Sequence, residues 1–254
     1  MDIHRGGSRE SSECRRADHR DASAGRPGQV SLWQEAWDRW GDVYAARAIR
    51  PAPADESEAR RELLFCLLGG HGVPYELALS ATDRLADVGV LAQEGSSGDA
   101  LERLVARELA MPQFSPLRAD GSSRRYRYPY RKAGLLKQAA DWLKTTALDS
   151  LVVALEAHES EVDRRGFMCR CPGVGPKTAS WFLRNTGYAT HLAVLDIHVL
   201  RALAAAGRLG EFRLPRDYER VESCFLGWCE DLKALPAAFD LFLWELQRGS
   251  LVLN

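Results

Sequence analysis

Pro172-Gly-Val-Gly-Pro-Lys177 constrains this chain more than any other stretch of it. Two glycines flanked by prolines cannot continue a helix, and they permit the positive φ and close backbone approach of a tight turn. A helix-compatible segment follows, Lys177 to Asn185, with Gly187 placed as its stop. Another precedes it, roughly Ser150 to Phe167. Two helices joined by such a hairpin leave backbone N–H groups pointing outward at the start of the second, a sequence-independent seat for a phosphate. Taken alone, the turn equally describes a plain connection between packed helices.

The residues that follow narrow the reading. Lys177 occupies the first helical turn, where the positive end of the macrodipole disfavours an ammonium. A lysine with only a structural role belongs at the other end. Asp196 lies in an apolar setting, after Leu192-Ala-Val-Leu195 and before Ile197. A carboxylate there is costly to bury unless it has a partner or caps the next helix. A primary amine beside a partly desolvated carboxylate is the pair required for nucleophilic attack at a sugar carbon.

Gly173-Val-Gly-Pro-Lys177-Thr-Ala together with Leu195-Asp196-Ile-His198 resembles the helix-hairpin-helix DNA glycosylases, in the lineage that carries a nucleophilic lysine. Trp181-Phe-Leu-Arg-Asn185-Thr-Gly-Tyr followed by Val194-Leu-Asp-Ile-His198 is most similar to the 8-oxoguanine DNA glycosylases of the compact archaeal-type branch. The resemblance implies an all-α, two-lobed fold with a cleft between the lobes and no sheet domain. It implies a bifunctional glycosylase and AP lyase acting on duplex DNA, with Lys177 and Asp196 as catalytic residues. Gly173, Val174 and Gly175 would hold a phosphate, with an alkali cation as a possible companion at the hairpin carbonyls, and His198 matches a family position near the flipped nucleotide. Trp244 matches an aromatic that encloses the flipped purine. The branch ends in lysine where this chain ends in Asn254, a departure that bears on which base is bound.

Further pocket candidates are Phe114, at the break Met111-Pro-Gln-Phe114, and His71 in the turn Gly69-Gly-His-Gly72. Arg118 to Lys137 is the one strongly basic segment, with seven Arg or Lys residues against Asp120 alone and with Tyr126, Tyr128 and Tyr130 interleaved. Arg127, Arg131 and Lys132 are its candidate DNA contacts, since such residues supply the salt-dependent phosphate term and aromatics can wedge where a base leaves the duplex. A solvated basic loop with inward tyrosines is the competing reading.

Composition leaves room for this and little against it. The formal net charge is −1, so any attraction for DNA must be local. Six cysteines are scattered, and Cys169-x-Cys171 and Cys224-x4-Cys229 lack the spacing of a zinc or iron–sulfur site. Relatives such as endonuclease III carry a four-cysteine cluster after the catalytic Asp; this sequence does not. No metal or other cofactor is expected. No apolar run approaches the ~20 residues of a membrane span, and a cytoplasmic, nucleoid-associated monomer is the expectation.

Residues 1–29 mix six arginines with five acids around almost no apolar anchor, the pattern of a disordered tail. Helical periodicity then recurs: Ser31 to Arg47 with a stripe of Trp33, Trp37 and Trp40, Glu56 to Leu68, Tyr75 to Leu91, Ala100 to Leu109, Gly134 to Thr145, Leu148 to Ala157, Val199 to Ala205, Pro215 to Cys229 and Ala237 to Arg248. One lobe is expected over 58–190 with the hairpin, the other from 30–57 plus 191–254. Two functional alternatives stay open: a glycosylase for another modified guanine or an oxidised pyrimidine, within a defence or modification pathway, and a non-catalytic hairpin module that only binds DNA.

Overall fold

A computed structural model describes residues 27–249 apart from 51–52, 71, 93–94, 96 and 149. Within them the chain forms eleven helices and, among the described residues, no strand beyond one isolated bridge between Phe114 and Arg124. The helices are α1 (Pro27–Ala48), α2 (Glu56–Leu68), α3 (Tyr75–Asp87), α4 (Gly98–Ala110), α5 (Pro129–Thr145), α6 (Leu151–Glu156), α7 (Glu161–Met168), α8 (Pro176–Thr186), α9 (Ile197–Ala205), α10 (Tyr218–Asp231) and α11 (Pro236–Gln247). The tail expected over 1–29 lies outside the described residues except for 27–29, which open α1.

Side-chain caps begin four of the helices, α2, α6, α7 and α9. Asp55 accepts the Glu58 N–H at 2.8 Å while the Glu58 carboxylate accepts the Asp55 N–H, a reciprocal box that begins α2. The segment expected as one helix from Ser150 to Phe167 is two. Ser150 caps α6, Ser160 caps α7, and the two turns between them carry the chain through a bend. Glu56 reinforces the first of these starts, its carboxylate accepting the N–H groups of Leu151 and Val152 at 3.1 and 2.9 Å. α5 begins at Pro129, earlier than its apolar periodicity indicates, because proline at the first helical position has its φ preset and lacks only an N–H that would be unpaired anyway.

Two hydrophobic cores result. Helices α2 to α8 surround the first, which runs from Ala54 to Leu192 in sequence. α1, α9, α10 and α11 surround the second, from Trp37 to Ala48 and from Ala193 to Leu243. The handover between cores falls at Leu192–Ala193, three residues before Asp196. Aromatic edges dominate the second core: Phe239 is fully buried and meets Trp37, Trp228, Phe225 and Phe242 at centroid distances of 4.8 to 5.9 Å. Trp37 is buried and Trp33 and Trp40 pack against the same core, so the tryptophan stripe of α1 is structural.

Buried ion pairs join the cores. Arg184 of α8 meets Asp240 of α11 at 2.6 Å, and Arg165 of α7 meets Glu222 of α10 at 2.5 Å, all four side chains being largely or fully buried. Glu222 also accepts the Ala193 N–H at 3.1 Å, which pins the crossing strand of chain to α10.

Phe239→Ala should lower the unfolding free energy by about 3–5 kcal/mol through lost transfer energy and a residual cavity. Urea unfolding followed by circular dichroism measures it; a loss below 1 kcal/mol would mean the second core does not rest on this ring.

Candidate active site

The hairpin is built from α7 and α8. The Cys171 carbonyl accepts the Val174 N–H at 3.0 Å, and Gly173 takes φ +83°. A Cβ at Gly173 would come within 2.5 Å of Leu135 of α5, so both conformation and space demand glycine. Val174 turns its side chain into the first core while Gly173 and Gly175 stay exposed, which leaves the turn's backbone on the surface. Gly175 is the N-cap of α8 with no side-chain cap, and Pro176 follows at the first helical position. The first-turn N–H groups of α8 therefore face outward without a side-chain acceptor, the arrangement that suits an anion.

Lys177 follows directly, and its half-buried side chain turns into a cleft of about 910 Å³ between the two cores. Its ammonium lies 4.7 Å from the centroid of the Trp181 ring, one turn further along α8. Among the described residues it makes no ion pair, so the nitrogen is available to the cleft. Trp181 packs over Gly69, where a Cβ would sit 2.9 Å from the indole, so the bare C-cap of α2 is what admits the ring.

Asp196 enters the same cleft from the other side of the lobe boundary. It is the N-cap of α9, its Oδ1 accepting the N–H groups of His198 and Val199 at 2.8 and 3.0 Å. Both bonds fall on one oxygen, so Oδ2 carries no protein hydrogen bond among the described residues. The loop before it is held by Glu161, whose two carboxylate oxygens accept the Thr190 and His191 N–H groups at 2.8 Å each. His198 also lines the cleft, its Nδ1 buried and without a partner.

Behind these two residues runs a polar chain that the sequence did not single out. Arg184 donates to Asp240 and, at 3.0 and 3.1 Å, to Asn185 Oδ1; Asn185 Nδ2 in turn donates to Glu62 at 2.7 Å. Burial raises the Asp240 carboxyl to about 6 against the pull of Arg184, with Asp196 adding to the rise and Lys177 opposing it. Burial likewise pushes Glu62 up. One signal was in the sequence: a lone acid inside Phe239-Asp-Leu-Phe-Leu-Trp244 needs a buried cation.

An aromatic wall closes the cleft. From Trp181 it passes edge to face through Phe65 (5.2 Å) and Tyr75 (5.5 Å) to Trp244 (5.4 Å), so the expected pocket aromatic Trp244 is in place. Phe114 is not. It is 1% exposed within the first core, anchored by the Phe114–Arg124 bridge that folds the 114–124 loop on itself. His71 and Asn254 lie outside the described residues.

The basic segment divides. Lys132 is half-buried, and its ammonium donates to the carbonyls of Leu67 and Gly69 at the C-terminus of α2, where Tyr126 donates to Leu68. That corrects the expectation for Lys132: a cation spent on helix-end carbonyls is unavailable to phosphate, and burial lowers its pKa to about 8. Arg131 and Tyr130 are exposed on α5, and Arg127 is exposed, donating to the Gly72 carbonyl at 3.0 Å beside the cleft. No helix among the described residues is long and apolar enough to cross a membrane, and none of their His, Cys, Asp and Glu side chains form a group of three that could hold a metal ion.

A two-lobed helical fold with a hairpin, an unpaired lysine at its second helix and a helix-capping aspartate across the cleft defines a helix-hairpin-helix glycosylase architecture. The crystal structure of Methanocaldococcus jannaschii 8-oxoguanine DNA glycosylase superposes with a TM-score of 0.64 at 21% identity, over 87% of this chain and 94% of that one. The enzyme from the same organism in complex with a 15mer DNA containing 8-oxoguanine gives 0.64 at 20%, over 88% and 100%. The Thermotoga maritima 8-oxoguanine DNA glycosylase gives 0.58 at 26%, over 87% and 90%. In sequence, the Thermotoga maritima 8-oxoguanine DNA glycosylase/AP lyase is 31% identical over 198 residues, 76% of this chain and 83% of the relative. A family model for 8-oxoguanine DNA glycosylase matches residues 50–234. The chain belongs to the 8-oxoguanine DNA glycosylase family.

The two fates of the basic residues are separable by salt. Arg131→Ala should reduce the slope of log affinity for duplex DNA against log salt by about one. Lys132→Met should leave that slope unchanged and lower stability by about 1–3 kcal/mol, since the α2 carbonyls lose their donor. Equal slopes for wild type and Arg131→Ala would remove Arg131 from the DNA face.

Proposed function

We propose that this chain excises 8-oxoguanine from duplex DNA and then cleaves the strand at the resulting abasic sugar, working as a monomer. The observation that carries the proposal is the convergence of Lys177 and Asp196 on one cleft from two separate cores. A passive hairpin module has no use for that pair. The activity of the relatives, 8-oxoguanine DNA glycosylase and AP lyase, supplies the substrate class.

The steps follow from the groups present. The hairpin amides around Gly173 and Gly175 grip a backbone phosphate, and the target nucleotide turns out of the stack into the cleft at a cost of a few kcal/mol. As the N-glycosidic bond lengthens, positive charge develops at C1′ and the Asp196 carboxylate, fixed by its capping bonds, stabilises it. The neutral Lys177 amine gives its lone pair to C1′; the C1′–N9 bond breaks, its electrons leave with the base, and the base takes up a proton. The new secondary ammonium loses a proton, and the nitrogen lone pair then opens the sugar ring, O4′ leaving as a hydroxyl with that proton, to give an iminium at C1′. That iminium acidifies the C2′ hydrogen, whose removal expels the 3′ phosphate by β-elimination. Water then returns the lysine. An amine nucleophile, unlike water, can carry the reaction past base release to strand cleavage, and the lysine supplies it.

His198 and the exposed Arg127 and Arg131 belong to the DNA face in this reading, and Trp244 to the wall against which the base lies.

Borohydride trapping on a duplex carrying 8-oxoguanine opposite cytosine tests the scheme. Wild type should form a covalent adduct, Lys177→Gln none, and Asp196→Asn should slow single-turnover excision by about 100-fold. Trapping on an abasic site without any on 8-oxoguanine would keep the chemistry and move the substrate to another modified base. Duplex binding with no adduct on either substrate would leave only a binding module.

A further inference from the structure

The far end of the aromatic wall carries a cation that the chemistry above does not use. Arg248, one turn beyond Trp244 on the C-terminal side of α11, holds its guanidinium 4.5 Å from the Trp244 ring centroid and 5.6 Å from that of Tyr75. Its Nη2 donates to Glu76 at 2.5 Å. Glu76 and Tyr75 open α3, on the first core, whereas Arg248 and Trp244 belong to the second. The ion pair therefore crosses the mouth of the cleft.

The other arginines of the cleft are differently placed. Arg184 is locked to buried Asp240 and to Asn185. Arg47 is bound to Glu245, which also accepts the Tyr44 hydroxyl, within the same lobe. Arg248 alone among these three holds a carboxylate that is itself about half exposed, 48% at the side chain against 2% for Asp240 and 18% for Glu245. Exposed pairs are weak and screened by salt, so Arg248 is the cation most readily redirected. It is also planar and donor-only, with a fork suited to carbonyl oxygens.

We propose that Arg248 is a specificity-determining residue: it caps the Trp244 face in the free protein, and on base entry it leaves Glu76 and turns its donors to the carbonyl oxygens on the edge of the incoming base. An oxidised purine with oxygens at C6 and C8 offers an acceptor on each side of its N7–H, and the O6 side takes the guanidinium donors. A purine that presents an exocyclic amine there sets donor against donor and leaves the guanidinium without a partner. Glu76 is the positioning residue that parks Arg248 until the base arrives. The inference rests on the glycosylase reading given under the proposed function.

Three duplexes test it, carrying 8-oxoguanine, 8-oxoadenine (in which an amine replaces the O6 oxygen) or an abasic site, each in single-turnover assays with wild type, Arg248→Ala, Arg248→Lys and Glu76→Gln. Arg248→Ala should lower the ratio of 8-oxoguanine excision to abasic-site cleavage by about tenfold and narrow the preference for 8-oxoguanine over 8-oxoadenine by a similar factor. Arg248→Lys, which keeps the charge and loses the planar fork, should fall between. Glu76→Gln should raise 8-oxoguanine excision about twofold to threefold at low salt, an advantage that shrinks as salt screens the wild-type pair. Both residues are exposed at helix ends, and the abasic-site rate controls for folding. An Arg248→Ala ratio equal to wild type, or a parallel fall on all three duplexes, would overturn the role of Arg248 alone. Wild type that cleaves abasic sites and releases neither base would overturn the substrate reading and this inference with it.

Discussion

The buried pair of Arg184 and Asp240 is the contact on which the cleft depends. α8 carries the hairpin and Lys177, α11 carries Trp244 and the floor of the second core, and this 2.6 Å bond is where the two helices are pinned. Removing one member of such a pair leaves a charge stranded in a dry interior and typically costs about 3–5 kcal/mol. Well-packed hydrophobic residues in place of such a pair are often as stabilising, so its charges matter for more than adhesion. Asp240 senses both Lys177 and Asp196. It places a buried carboxyl, tempered by Arg184, behind the two charged groups that face the cleft.

A chain with a formal net charge of −1 has no long-range field to draw DNA toward it. Affinity has to come from oriented backbone and a few exposed side chains. The uncapped start of α8 offers the first, and the exposed Arg127 and Arg131 offer the second. Lys132 and Tyr126 belong to neither, because they close the C-terminus of α2 and so hold Gly69 under Trp181. Part of what looks like a DNA-binding segment is thus the foundation of the aromatic wall.

Much of the site was legible in the sequence because local chemistry determines it. A glycine that needs φ +83°, a proline at a first helical position and an aspartate that caps the next helix each announce themselves without tertiary information. The end of α6 was legible in the periodicity that stops at Ala157, whereas the start of α7 at Ser160 and Asp163 was not read, because no glycine or proline marks it. Tertiary partners were not legible. Nothing in the order of residues says that Phe114 meets Arg124 across a folded loop, that Lys132 reaches the end of α2, or that Arg248 meets Glu76 from 172 positions away. Asp240 lies between the two cases, since its apolar neighbours demand a cation without naming which one.

Glu161 has a mechanical consequence. It stands in the first turn of α7, the helix that enters the hairpin, and it suspends Thr190 and His191, the loop that delivers Asp196. The hairpin turn and the loop that leads to the Asp196 carboxylate are therefore both tied to one short helix of eight residues. The aromatic wall is tied differently: its ends stand on the two cores and are joined by the Tyr75–Trp244 ring contact and the Arg248–Glu76 pair, with no single helix holding both.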